Sequence, residues 1–393
     1  MAAASNPARL MGIAACALLA GMEALHADEA TNPPRGWQMD VKGSEQASWE
    51  SNPLMLVRGA SALYGSVTTP ELIVHDDTPT SHFSLDTSVA ENLYDHSAFD
   101  STDFHEKLAL SDQNERWLAE MKGQVDYDTT RTGEFTTFGL DLPNVRRFGL
   151  AASPQISFQS TPIDKFSIGS TLSNYSYNNA AFVDYDFLSI SPSYTRNLSP
   201  TDSASITWEA DRYTAQQGPG NTIDSFGPLI GWQSLITPLF TSNLTIGAEK
   251  STQSSAIVTS KPTNFNYVFR GNLNYKDQLD TANFIASRAH QPFANGTETL
   301  LTAFTANDSH AINEKLSLTA AATYEFAQYG RVIGINFDNE YNATVGMAYR
   351  VLETADLTVN YRYTQESLTN VGSTIRDNAI LVGLAYHPML KIL

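Results

Sequence analysis

The stretch Asp356-Leu-Thr-Val-Asn-Tyr-Arg-Tyr-Thr364 alternates strictly between apolar and polar side chains. Its apolar positions are Leu357, Val359, Tyr361 and Tyr363. Successive side chains of a β-strand point to opposite faces, so the stretch predicts a strand with one apolar face and one polar face.

A second alternating run follows after a polar loop and completes a hairpin. Its apolar face consists of Ile380, Val382, Leu384 and Tyr386. Each run is about 10 to 13 residues long, which suits a tilted strand that crosses a bilayer and exceeds the usual length of a globular strand. Aromatic side chains lie near the ends of the apolar stripe, as in the interfacial girdle of a membrane barrel. We therefore predict a pair of transmembrane strands over residues 356–388.

The same alternation recurs along the chain between short turns that are about 40 residues apart. Pro, Asp, Asn and Ser favour tight turns. We predict such turns at residues 77–80, 114–116, 161–164, 199–202, 237–238, 278–281, 313–315 and 352–355. The intervening connections are longer and richer in Gly, Asn and charge, and this asymmetry is typical of an outer-membrane barrel whose short turns are periplasmic.

These features predict an all-β fold, a transmembrane antiparallel up-and-down β-barrel of about 18 strands over residues 37–393. Residues 51–74 are the least regular part, and Pro70 there predicts a bulge or a strand end. The alternative fold is a β-propeller, whose blades also repeat at about 40 residues. A blade needs four short strands in that interval, whereas two long strands fill it here.

The first residues predict a secretory signal peptide over residues 1–27, because a basic start precedes a short apolar stretch and a small residue at the cleavage site, Ala27. The alternative is lipoprotein cleavage before Cys16, although most of the apolar stretch follows that residue. Residues 28–36 form a short periplasmic segment. No later apolar run reaches the length of a transmembrane helix.

The formal net charge of −18 argues against nucleic acid as a partner. The expected partners are outer-membrane lipid, lipopolysaccharide and the barrel-assembly machinery. Cys16 is the single cysteine and lies within the predicted signal peptide, so no disulfide or thiol chemistry is expected in the mature chain.

The run Ser193-Tyr-Thr-Arg-Asn-Leu-Ser-Pro-Thr-Asp-Ser-Ala-Ser-Ile-Thr-Trp-Glu-Ala-Asp-Arg-Tyr213 resembles the repeated hairpins of the proteobacterial family called putative β-barrel porin 2. Similar segments begin at Leu316 and at Ala348. The resemblance implies an outer-membrane pore, and some such proteins are encoded beside exopolysaccharide export machinery, so polysaccharide export partners are a further expectation. It implies no catalytic residues and no cofactor. Such barrels usually end on an aromatic residue, whereas seven residues follow Tyr386 here, so the assembly signal is either internal or atypical.

Two residue groups carry side chains that catalysis or metal binding could use. Ser309 and His310 are adjacent, so within a strand they point to opposite faces and cannot form a nucleophile–base pair. His75 and His82 flank a turn that contains Asp76 and Asp77, which is loosely similar to a two-histidine metal site. A solvated periplasmic turn is the simpler interpretation, and neither a catalytic site nor a metal site is predicted.

The charged residues of the polar face are the candidates for lining a pore. They are Asp40, Lys42, Asp86, Lys107, Glu120, Lys122, Asp126, Glu209, Asp211, Arg270, Glu325, Arg350 and Arg362. Their mixed signs favour a general hydrophilic or glycan-conducting channel over a strongly ion-selective one. The alternative is that they pair across strands and only stabilise the wall.

The predicted function is therefore that of a porin-like channel in the outer membrane of a Gram-negative bacterium, passing hydrophilic solutes or an exopolysaccharide chain. A surface-exposed structural or adhesion barrel with a closed lumen is the alternative. An outer-membrane hydrolase is a third hypothesis, and the missing nucleophile arrangement counts against it.

Overall fold

The computed structural model describes residues 36–133, 144–179, 182–216, 221–254, 263–293, 297–329, 337–368 and 373–387. The predicted signal peptide, most of the periplasmic segment and the residues after His387 lie outside these ranges. Among the described residues, no helix is long and apolar enough to cross a membrane.

Eighteen antiparallel strands form one closed sheet, in which β1 pairs with both β2 and β18. The strands are β1 Gln38–Glu50, β2 Leu63–Asp77, β3 Ser81–Tyr94, β4 Ser101–Gln113, β5 Trp117–Thr129, β6 Arg146–Gln159, β7 Asp164–Tyr177, β8 Tyr185–Asn197, β9 Asp202–Ala215, β10 Thr222–Thr237, β11 Phe240–Ser254, β12 Thr263–Lys276, β13 Asp280–Phe293, β14 Thr297–Ala311, β15 Leu316–Tyr329, β16 Phe337–Leu352, β17 Ala355–Leu368 and β18 Ser373–Tyr386. A 3-10 turn, Ser97–Phe99, precedes β4, and a one-turn helix, α1 Thr130–Gly133, follows β5.

The predicted barrel and its strand number are confirmed. Each of the eight predicted short turns joins two consecutive strands. A single closed sheet excludes the propeller, which is built from separate four-stranded blades. Because an even number of antiparallel strands brings the first and last strands together in antiparallel register, the ladder closes without an exposed edge.

The register of the last hairpin defines the two faces of the wall. Leu357 pairs with Leu384 and Val359 with Val382, whereas Thr358 pairs with Gly383. Leu384 is 49% exposed, as expected for a side chain that faces lipid. The alternation predicted from the sequence is therefore present in this hairpin, with the apolar set outside and the small or polar set inside.

Prolines lie within strands and do not end them. Pro70 lies inside β2 and pairs with Gly43 of β1, and the β2–β3 register is the same on both sides of it. The predicted bulge or strand end at Pro70 was therefore wrong. The β2–β3 ladder is interrupted only at residues 69–70, because proline has no N–H to donate. Similar one-sided gaps occur at Pro154 and Pro192.

The outer face of the first four strands is less apolar than that of the last hairpin. Glu45 pairs with the outward Leu384, and Glu45 also accepts a hydrogen bond from Thr68 of β2. Glu91 pairs with Thr68, and Glu106 lies on the same face of β4. Carboxylates facing lipid are tolerated better near the interfaces than at the midplane, so this sector differs from the Leu-, Ile- and aromatic-rich remainder.

Replacing Leu384 or Val359 with arginine should lower the stability of the inserted barrel by about 2 to 4 kcal/mol near the midplane, because the charge would face hydrocarbon. Thr358→Arg is the matched control, since Thr358 faces inward beside Gly383. Urea unfolding of the protein in lipid vesicles measures the difference. Equal tolerance at all three positions would contradict the assignment of the two faces.

Candidate functional site in the barrel lumen

The thirteen predicted lining residues all lie on the face opposite the exposed apolar side chains. Seven of them form ion pairs: Asp40–His75 (3.9 Å), Lys42–Glu71 (3.7 Å), Asp126–His105 (2.8 Å), Glu209–Arg270 (2.7 Å), Arg350–Asp356 (3.6 Å) and Arg362–Glu50 (3.1 Å). Within the described ranges, no ion pair is found for Asp86, Lys107, Glu120, Lys122 or Glu325. The inner wall thus combines paired charges with charges that remain available to a solute.

The Arg270–Glu209 pair crosses two strands. Both terminal nitrogens of Arg270 on β12 donate to the carboxylate of Glu209 on β9, at 2.7 and 2.9 Å. The side chain passes over β11 and β10, where Gly227 and Gly247 occupy inward positions. A Cβ at Gly247 would lie 2.3 Å from the Pro228 carbonyl oxygen, so only glycine fits there. The contact therefore depends on the concave inner wall and on these glycines.

The hairpin between β13 and β14 separates from β12 near its upper end. Pairing of β12 with β13 ends at Phe269 and Arg288, although β12 continues beyond that point. Pairing of β13 with β14 continues to Phe293 and Thr297. Residues 289–293 and 297–301, which we call the inward hairpin, are thus paired with each other and not with β12, while residues 299–301 are also paired with β15.

The contacts of the inward hairpin place it inside the barrel. Leu300 packs against Leu229 and Val268, which are inward residues of β10 and β12. His290 Nε2 lies 3.9 Å from the carboxylate of Glu249, another inward residue. The face of the inward hairpin that contacts the inner wall is therefore the same face of β13 and β14 that points outward nearer the short turns. The sequence alternation is lost in this segment, because Arg288 and His290 take positions of the outward face and Leu300 and Leu301 are adjacent. This loss does not by itself give the direction of the hairpin.

The connection after β5 also reaches into the lumen. Arg131 of α1 donates to Glu50 of β1 at 2.9 Å, across the three intervening strands. Its guanidinium lies 4.3 Å from the centroid of the Tyr94 ring. Glu50 also accepts a hydrogen bond from Arg362 of β17, and so it joins two basic groups that come from opposite sides.

Inward aromatic side chains hold two further connections against the wall. Tyr177, Tyr185 and Tyr213 form a buried cluster with Phe182 and Val145, which belong to extracellular connections. Tyr185 and Tyr213 have ring centroids 5.3 Å apart. Burying these rings fixes Val145 and Phe182 against the inner wall.

Burial of the inward side chains differs between the two ends of the barrel. Towards the long connections, polar groups such as Asp128 (0% exposed) and Asp103 (1%) are buried. Towards the short turns, Lys107 and Lys122 are exposed. The inner wall is therefore covered towards the long connections and open to solvent towards the short turns, and we call this open region the vestibule.

The residues considered for catalysis or metal binding do not come together. Ser309 faces inward, and His310 lies on the opposite face and contacts Asp280. His75 contacts Gln38, whereas His82 hydrogen-bonds to Asp77, so the two histidines have separate partners. Asp76 lies on the outer face, opposite Phe83.

Two other groups in the described part of the chain have ligand atoms close enough to hold a metal. They are His105, Asp126 and Asp128, and Glu209, Asp211 and Glu249. In each group one carboxylate is already held by both ends of an arginine fork, Asp128 by Arg147 and Glu209 by Arg270. A metal would have to displace that arginine, so charge pairing accounts for both groups.

Comparison with known proteins gives one family match and several similar solved structures. The sequence model of the family described as putative beta-barrel porin 2 matches residues 268–387, which contain most of β12 and all of β13–β18. No curated protein matches the sequence. The solved structures that are similar include OccK2 (OpdF) of Pseudomonas aeruginosa in complex with glucuronate, with a TM-score of 0.48, 10% identity, and coverage of 90% of this chain and 98% of that chain.

The outer membrane channel DcaP of Acinetobacter baumannii is also similar, with a TM-score of 0.44, 12% identity, and coverage of 93% of this chain and 100% of that chain. Identities this low say nothing about the solute. The closed barrel and the family match define the class: this is a porin-like β-barrel of the bacterial outer membrane. Over its last strands, the chain resembles the putative beta-barrel porin 2 family.

The pair between Arg270 and Glu209 should contribute roughly 1 to 2 kcal/mol of coupling energy, below the usual figure for a charged hydrogen bond because Arg270 is half exposed. A double-mutant cycle with Arg270→Ala and Glu209→Ala measures it by urea unfolding in vesicles. Lys122→Ala with Glu209→Ala is the control cycle, because Lys122 makes no ion pair with Glu209. Additive effects of the Arg270 and Glu209 substitutions would show that the pair does not stabilise the wall.

Proposed function

We propose that the barrel is a passive channel for small hydrophilic solutes, with its selective constriction in the extracellular half. The observation that carries this proposal is the inner wall, where a vestibule with available charges leads to a zone narrowed by the inward hairpin and α1. A solute that diffuses from the vestibule meets this narrow zone before it leaves the barrel.

The vestibule carries both signs of charge close together. Asp86 and Lys107 are direct cross-strand neighbours, and Glu120 and Lys122 face inward on the next strand. Adjacent opposite charges give weak overall preference between anions and cations. This arrangement suits polar solutes in general better than one class of ion.

Carbohydrate passage, including export of an exopolysaccharide, is the second candidate. Tyr175 and Phe187 pack on the edge of the buried aromatic cluster and are themselves only partly buried. Aromatic faces at a pore wall offer an apolar surface on which the C–H face of a sugar ring can pack. A polysaccharide in transit would have to pass the constriction as an extended chain.

Single-channel recording in a planar bilayer tests the proposal. We expect stable conductance steps from refolded, heat-modifiable protein, and no steps from a heat-denatured sample. Added malto-oligosaccharides should interrupt the current if carbohydrates enter the lumen, whereas an unaffected current would count against the second candidate. Absence of any conductance from verified barrel would overturn the channel and favour the structural or adhesion barrel.

Arg131→Ala should increase the single-channel conductance, because it removes the side chain that spans from α1 to Glu50 inside the mouth. Arg116→Ala is the matched control, since Arg116 lies in an exposed periplasmic turn. An unchanged conductance in Arg131→Ala, together with normal heat modifiability, would show that the constriction lies elsewhere.

A further inference from the structure

We propose that the inner wall of β15, β16 and β17 holds a binding site for a multivalent cation, formed by Glu325, Glu340 and Glu366. Glu325 pairs directly with Glu340, and Glu340 pairs directly with Glu366. Three carboxylates thus lie side by side on the inward face of three consecutive strands. We call them the acidic row.

Like charges at directly opposed positions destabilise a sheet. The row contains two such pairs next to each other, Glu325–Glu340 and Glu340–Glu366. If all three side chains are ionised, their repulsion destabilises the folded barrel, whereas threonine or asparagine at these positions would cause none. Inward positions of the same strands farther down carry Thr344 and Thr358, which shows that uncharged residues fit this wall. A bound cation would convert the repulsion into attraction.

Two members of the row are buried, and each of them has one oxygen without a hydrogen-bond partner. Glu340 is 4% exposed and Glu366 is 2% exposed. Glu340 Oε2 and Glu366 Oε1 have no hydrogen-bond partner. An ionised carboxylate buried without a partner is strongly unfavourable, and such groups are normally paired with a base or a metal ion. The two unpartnered oxygens therefore point to a ligand.

No basic residue among the described parts of β15–β18 neutralises the row. Arg362 is engaged by Glu50 and by Asp377. Arg350 is near the periplasmic end and contacts Asp356. Arg376 pairs with Gln365 on the outer face of the wall. The negative charge of the row thus remains uncompensated by these strands.

The geometry indicates the kind of cation. Adjacent strands are about 4.8 Å apart, so the row extends over about 10 Å. It is not among the groups whose ligand atoms all lie within 4.8 Å of one another, so a small ion held directly by all three carboxylates does not fit. A cation with several donors or a hydration shell does fit, which includes a hydrated divalent ion and a linear polyamine. Glu325 is only partly buried and leaves this end of the row open to the lumen.

The inference deepens the proposed function, because a cation site on the lumen wall gives the channel a place where cationic solutes pause. The acidic row also differs from the rest of the inner wall in its charge pattern. Asp86, Lys107, Glu120 and Lys122 alternate in sign, whereas the acidic row carries one sign only.

Equilibrium binding tests the site without requiring an open channel. Isothermal titration of the refolded protein in detergent would use calcium chloride, magnesium chloride and spermidine as separate probes. We expect saturable binding of at least one of them. Glu340→Gln and Glu366→Gln should each weaken that binding about tenfold or more. Each substitution removes one negative charge from the site, and a contact to a charged group is typically strong enough to change a dissociation constant by that factor. Binding of the metal ions alone, or of spermidine alone, identifies which type of cation the row takes.

Glu115→Gln is the matched control, since Glu115 lies in an exposed turn and should leave binding unchanged. Glu325→Gln serves if the buried substitutions fail to give heat-modifiable barrel. Absence of saturable binding by all three probes would overturn the inference and indicate that the carboxyl groups stay protonated. Equal binding by the wild type and the variants would also overturn it. Binding without conductance would uphold the site and refute the channel, whereas conductance without binding would refute the site alone.

Discussion

The constraint on which the whole structure depends is that every backbone N–H and C=O within the hydrocarbon must find a partner in the protein. Eighteen strands meet this requirement by closing the ladder between β1 and β18. Closure fixes the number of strands as even, brings both ends of the sheet to one side and separates an outer face from an inner face. Prolines such as Pro70 interrupt one side of the ladder locally and leave the register intact, so the closed sheet tolerates isolated missing donors.

Closure also makes contacts that a flat sheet could not. On the concave inner wall, side chains that are two or three strands apart approach each other, as Arg270 approaches Glu209. The same curvature lets Arg131 reach Glu50 from the connection after β5. These contacts and the inward hairpin concentrate buried polar groups in the extracellular half. The lumen thus acquires its asymmetry from long side chains, from α1 and from the inward hairpin, and not from the number or order of the strands.

The charges of the inner wall have two distinct roles. Arg147 and Asp128 make two hydrogen bonds in a buried setting, where a lone charge would be costly, so they belong to the wall itself. Lys107 and Lys122 are exposed to the lumen and available to solutes. The acidic row combines burial with the absence of a base, and this combination separates it from both. A list of inward charged residues therefore contains structural pairs, solute-facing groups and a candidate ligand site.

The sequence by itself determined the fold class, the short turns and the face of the thirteen predicted lining charges, because alternation and turn chemistry are local and recur between the turns. It also named Glu325, Arg270 and Glu209 as inward residues. It did not single out Glu340 and Glu366, because their polar neighbours Asn339, Gln365 and Ser367 obscure the alternation there. Only the tertiary structure decided which charges meet, because register between strands aligns the three glutamates and curvature joins Arg270 to Glu209. It alone placed residues 289–293 and 297–301 inside the lumen, since the direction of this hairpin depends on where pairing with β12 stops.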